Sequence, residues 1–126
     1  MVPKDLRYTK EHEWVRLDGD MATIGSTDYA AEQLGDVVFV ELPEIGRTVA
    51  QFAAIGVIES VKAVSDLFAP IAGDVVESNA ELTGAPELLN SDPYGKGWML
   101  RIKVADAGQV AGLLDAAAYE ALIAEA

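Results

Sequence analysis

The chain has 126 residues, 51% of them hydrophobic, which fits one domain spanning 1–126 with a core that needs no staples. It has no cysteine and a single histidine, His12; disulfides and thiolate metal sites are excluded, no metal site is expected, and a hydrolytic triad would have to be built on His12. The net charge of -12 disfavours nucleic acid and anionic membranes and favours basic protein surfaces, while the absence of a membrane-length apolar run and of a signal pattern at Met1-Val2-Pro3-Lys4-Asp5 leads to a cytoplasmic expectation.

Along the chain, Trp14-Val15-Arg16-Leu17 and Met21-Ala22-Thr23-Ile24 flank Asp18-Gly19-Asp20, a hairpin signal. Thr27-Asp28 starts a short helix over Tyr29–Leu34, with Glu32 near a capping-box offset, and Gly35 ends it. Val37–Leu42 reads as a strand stopped by Pro43, and Ile45-Gly46-Arg47 as a turn. Ile55–Ile58 and Val64–Phe68 are apolar and β-branched runs around Glu59-Ser60-Val61-Lys62-Ala63; with Ala69-Pro70 they form a hairpin over about 55–70. Val75-Val76-Glu77 is the next strand, and Asn79 opens a polar break. Pro86–Asn90 reads as one helical turn with proline at its first position, and Asp92-Pro93-Tyr94-Gly95 as a turn. Trp98–Val104 alternates as a half-buried strand. Val110, Leu113, Leu114, Ala117, Ala118, Ala121 and Leu122 recur at three and four, which predicts one amphipathic closing helix over about 109–125.

Gly35-Asp36-Val37-Val38 recurs as Gly73-Asp74-Val75-Val76, and in both copies seven residues lead to a glycine, Gly46 or Gly84. This predicts two small strand–turn units, packed face to face and related by an approximate two-fold, on either side of the lysine hairpin. The fold class expected is therefore mainly β, with short helices and a C-terminal helix.

Lys62 is the residue with the most distinctive setting. Turn tips usually carry Gly, Asn, Asp or Pro; here Val61 and Val64 flank a lysine. Schiff-base catalysis requires a desolvated or cation-flanked lysine, and the charged neighbours Glu59 and Asp66 are anions. An amine on a long stem, held clear of the body by a stiff hairpin, suits covalent attachment instead.

Glu59-Ser60-Val61-Lys62-Ala63, followed by Ser65-Asp66 and Ala69-Pro70-x-x-Gly73, resembles the lipoyl-attachment hairpin of the glycine cleavage system H protein family. Nearly the whole chain shares the resemblance. Tyr8–Val15 looks like the family's opening segment, Gly25-x-Thr27-Asp28-Tyr29-Ala30 and Leu34–Pro43 like its middle, and Pro86–Trp98 like its late signature. Biotin carriers usually read Met-Lys-Met at this lysine, and lipoyl domains of 2-oxo acid dehydrogenases Asp-Lys-Ala; here Val-Lys-Ala follows Glu-Ser.

The resemblance implies a barrel-sandwich hybrid fold and a non-catalytic, monomeric carrier with lipoate joined to Lys62, within the motif of Glu59, Ser60, Val61 and Ala63. It implies a cycle in which a pyridoxal-phosphate glycine decarboxylase loads an aminomethyl group on the arm. An aminomethyltransferase then passes the one-carbon unit to tetrahydrofolate, and dihydrolipoyl dehydrogenase reoxidises the dithiol. A lipoyl ligase or transferase would install the group. A lipoyl carrier or relay paralogue serving another complex is the alternative. In the family the loaded arm shelters in a cleft, and the matching positions here are Glu13, Gln33 and Asp66. The carboxylates suit a protonated amine. His12, Trp14 and Trp98 read as packing residues. Two positions depart from the family's usual pattern, Ser26 in place of isoleucine and Phe52 near a glycine turn. A phenylalanine takes positive φ at a cost, so this turn is expected to differ or Phe52 to pack inward.

Overall fold

The structure, a computed structural model, describes residues 2–125. Nine strands and five short helices follow one another along it. They are β1 Arg7–Tyr8, β2 Glu13–Asp18, β3 Met21–Ser26, α1 Asp28–Leu34, β4 Val37–Glu41, β5 Thr48–Val49, β6 Ala54–Ser60, β7 Val64–Phe68, β8 Gly73–Ser78, α2 Glu81–Gly84, α3 Leu88–Ser91, β9 Leu100–Val104, α4 Ala107–Ala111 and α5 Ala116–Ala124. One antiparallel sheet has six strands in the order β1-β2-β3-β9-β8-β5, and the other has three, β4-β6-β7.

The alternation expected of a half-buried strand appears in β9. Leu100 and Ile102 are fully buried, while Arg101 and Lys103 point away. Ile24, Val75, Leu100 and Ile102 of the larger sheet share one apolar cluster with Val37, Val40, Ile58 and Leu67 of the smaller one, so burial of these side chains holds the sheets together. Strand β2 begins buried on both faces. Val15 enters that cluster, and Trp14 enters a second one built from Val2, Leu6, Tyr8, Ala116 and Tyr119. The indole stacks directly on Gly25, its partner across the ladder; a β-carbon there would lie 2.5 Å from two indole carbons, so glycine is required for the ring to fit. Trp14 Nε1 donates to Pro93 O at 3.0 Å, which ties the Asp92–Gly95 turn to β2. Trp98 is half-buried, its ring covered by the Arg101 guanidinium at 4.2 Å.

Four expectations need correction. The closing helix over 109–125 is two helices: α4 ends at Gly112, Asp115 caps α5 by accepting from Ala118 N at 2.8 Å, and Leu114 between them is drawn into backbone pairing with Tyr8. The paired Gly-Asp-Val-Val copies do lie in different sheets, in β4 and β8, but the sheets are unequal because β1–β3 extend the larger one. The likeness also stops at the turns: Gly46 sits at φ 95 in a loop whereas Gly84 ends α2. Phe52 keeps a left-handed turn, at φ 65, with its ring exposed. Backbone bonds from Phe52 N to Ala69 O at 2.6 Å and from Ala69 N to Ala53 O at 2.9 Å hold that conformation against its local cost.

Among the described residues no helix is long and apolar enough to cross a membrane. The centre of the core is where a deletion is expected to hurt most. Ile102→Ala should lower unfolding free energy by about 2–5 kcal/mol in urea titrations, and Lys103→Ala beside it by less than about 0.5 kcal/mol.

Candidate functional site

Strands β6 and β7 run antiparallel from the Gly56–Leu67 pair to the Glu59–Val64 pair, and Val61-Lys62-Ala63 joins them. Ser60 explains why so short a connection holds its shape. Its N–H donates to Ala63 O at 2.8 Å, and its hydroxyl oxygen accepts from Ala63 N at 3.0 Å and from Lys62 N at 3.3 Å. One serine thus satisfies the amides of Lys62 and Ala63, as Ser does in local side-chain turns. Lys62 is exposed at that tip, and among the described residues the only ion pair is Arg101–Glu77, on the larger sheet. Phe39, Glu59 and Val64 are paired across the three strands and so lie in one row on the same face. Phe39 and Val64 are exposed there, as is Val61 at the turn.

Beside the hairpin lies a cavity of about 190 Å³. Glu13, Gln33 and Asp66, the three residues named from the sequence, all line it, and Leu34 and Ile58 provide an apolar wall. Three further residues come to it that the sequence did not single out for this place. Ser26 is buried in its wall, where an isoleucine would leave no hydroxyl. His12 and Ser65 also line it. A larger groove, about 420 Å³, sits beside Phe52, Phe68 and Leu113, at the end of β7 away from the lysine turn. The smaller cavity meets both strands of the lysine hairpin, at Ile58 of β6 and at Ser65, Asp66 and Leu67 of β7, and its lining is the more polar.

Glu13 is almost wholly buried, with both carboxylate oxygens engaged. Thr9 Oγ1 donates to Oε1 at 2.5 Å, and Phe68 N donates to Oε2 at 3.3 Å. Burial outweighs these bonds and pushes the carboxyl up to about 7. His12 adopts φ 70, and its Nδ1 meets the Tyr119 hydroxyl at 2.8 Å. Burial lowers its pKa, so the ring is neutral near pH 7. The Tyr119 hydroxyl also meets Thr27 Oγ1 at 2.8 Å, and Thr27 caps α1 by accepting from Ala30 N at 3.2 Å. A chain of hydrogen bonds thereby ties the cavity wall to α5 and to the start of the helix that carries Gln33 and Leu34. Among the described residues no group of three or more His, Cys, Asp or Glu is placed to hold a metal ion.

The family model for the glycine cleavage H-protein matches residues 6–126. The chain belongs to that family. The glycine cleavage system H protein of Phenylobacterium zucineum is 58% identical over 119 residues, covering 94% of this chain and 98% of the relative. That of Symbiobacterium thermophilum is 54% identical over 124 residues, covering 98% of this chain and 97% of the relative. The crystal structure of a glycine cleavage system H protein from Mycobacterium marinum superposes with a TM-score of 0.90 at 40% identity, covering 98% of this chain and 99% of that one. The mainly β, two-sheet architecture is therefore the family's own.

The buried carboxyl gives a pH signature. Its value in the folded chain lies above the ordinary 4.5, so between 4.5 and about 7 native Glu13 keeps a proton that the unfolded chain has released. Stability falls as pH rises through that window. Glu13→Gln should remove the fall: relative to wild type, the variant gains up to about 3 kcal/mol at about pH 8, and the gain vanishes at about pH 4, in urea midpoints measured across pH.

Proposed function

We propose that this chain is the lipoyl-bearing shuttle of a glycine cleavage system, that Lys62 is the acylated residue, and that the cavity beside it shelters the loaded arm. The observation that carries the reading is an exposed primary amine at the tip of a closed three-residue turn, next to a cavity with acidic and apolar walls.

Attachment makes simple demands on the chain. The Lys62 Nζ attacks the acyl carbon of an activated lipoate such as the acyl adenylate and gives up its proton as the bond forms. An amide C–N bond forms, the anhydride C–O bond breaks and adenylate leaves. Nothing in the chain needs to catalyse this; Ser60 presents the amine and the installing enzyme does the chemistry. The bound group supplies a dithiolane that accepts both an aminomethyl unit and electrons, which a chain without cysteine lacks.

The cavity residues divide the work of shelter. Leu34 and Ile58 suit a methylene chain and exclude water; Glu13 and Asp66 suit a protonated amine; Gln33 offers hydrogen bonds without titrating. A cation beside Glu13 favours its ionised form, so accommodation of a protonated amine releases a proton from that carboxyl near neutral pH. The partners in this reading are the pyridoxal-phosphate decarboxylase, the folate-dependent aminomethyltransferase and the dihydrolipoyl dehydrogenase, with a ligase or transferase for installation. The acidic surface speeds encounter with any of them that presents a basic docking face.

The test is intact-mass spectrometry after incubation of the apo chain with lipoate, ATP and a lipoate ligase. Wild type should gain the mass of one lipoyl amide, and Lys62→Arg none. An adduct that persists on the arginine variant refutes the assignment.

A further inference from the structure

We infer that Asn90, in α3, is a positioning residue for Lys62. The inference rests on the reading of Lys62 as the acylated amine. Ser60 closes the turn on itself, and its pairing with Val37 joins the base of the turn to β4. Within the turn, the contact to the body is made by Val61 N, which donates to Asp36 O at 3.0 Å. Asp36 lies in the loop between α1 and β4, and the backbone of this loop is held by one side chain. Asn90 Nδ2 donates to Gly35 O at 2.8 Å and to Ala31 O at 3.4 Å, and Asn90 Oδ1 accepts from Val37 N at 2.9 Å.

The same loop is the floor under the lysine. A β-carbon on Gly35 would lie 3.4 Å from Lys62 Cε and 3.8 Å from Cδ, so the lysine stem runs directly over residue 35. Gly35 itself sits at φ 77 and ψ -156, a region that is essentially glycine-only and persists only where neighbouring structure holds it. Asn90 therefore sets both the acceptor that anchors the tip and the surface on which the stem rests. Only an amide answers this arrangement of two carbonyls and one N–H; a carboxylate would face the carbonyls without a donor. This gives the late Pro86–Trp98 segment a reason to accompany the lysine hairpin: it carries the clamp that aims it.

A matched control lies within the chain. Asn79 also makes three bonds, donating to Lys96 O at 2.8 Å and to Trp98 O at 2.7 Å and accepting from Glu81 N at 3.2 Å, but it touches neither the loop nor the hairpin. Full-length apo Asn90→Ala, Asn90→Asp and Asn79→Ala should be compared with wild type in ligase-catalysed lipoylation, with thermal unfolding recorded for each. The kcat for acylation should fall roughly tenfold or more in Asn90→Ala, as expected for a displaced nucleophile, with KM little changed because the docking surface is intact. The Val61 amide should exchange its hydrogen faster in that variant. Asn79→Ala should lose comparable thermal stability and keep wild-type acylation kinetics. If Asn90→Ala does not fold, Asn90→Asp, which keeps the acceptor for Val37 N, should show the same kcat loss below its unfolding temperature. Wild-type kcat in the folded Asn90 variant, or an equal loss in Asn79→Ala, overturns the positioning role. Lys62→Arg keeps the two layers apart: lipoylation of that variant sinks the attachment reading, whereas normal kinetics in the Asn90 variant with an inert Lys62→Arg sink only the role of Asn90.

Discussion

A backbone hydrogen bond from Val61 N to Asp36 O carries the contact between β4 and β6, which starts at the Val37–Ser60 pair, into the lysine turn itself. Within the turn, Ser60 closes the backbone, and the β6–β7 ladder continues it. A flexible side chain on a stiff hairpin explores a limited volume around a fixed origin, and the Asp36 contact sets that origin beside the cavity formed with α1 and β2. If the tip pivoted freely, the same lysine would still be exposed, but its reach would no longer centre on the acidic and apolar walls of that cavity.

Those walls are expensive to build. Glu13 is placed where solvent is nearly absent, and burial raises its pKa despite the hydrogen bonds from Thr9 and Phe68. A group chosen for stability alone would be apolar. A carboxyl poised between its two forms near neutrality instead responds to whatever charge enters beside it, which fits the sheltering role proposed for this cavity. The strained φ of His12, next in sequence, is a second local cost at the same wall.

Much of this was legible because it is written locally. The Thr27 cap, the alternation of Leu100 and Ile102, and the Glu-Ser-Val-Lys-Ala turn each depend on neighbours a few residues away. What the periodicity missed is non-local. The helical spacing continues through Gly112–Asp115, but Tyr8 recruits the Leu114 backbone and breaks it. Strands β1 and β5 have two residues each, too short to show a period. The gathering of Glu13, Gln33 and Asp66 came from family resemblance, since no spacing in the chain links three residues on separate elements. Asn90 reads as an ordinary helix residue until its three partners, all in the 31–37 segment, are seen in space.

The placement of Tyr119 carries a practical consequence. Its hydroxyl bridges His12 in the cavity wall and Thr27 at the head of α1, while its ring stacks on Tyr8 at 4.7 Å. The last helix thus acts as a bolt through the amino-terminal strands into the cavity wall. Trimming of the carboxy-terminal helix that reaches Tyr119 would therefore be felt inside the cavity, far away in sequence.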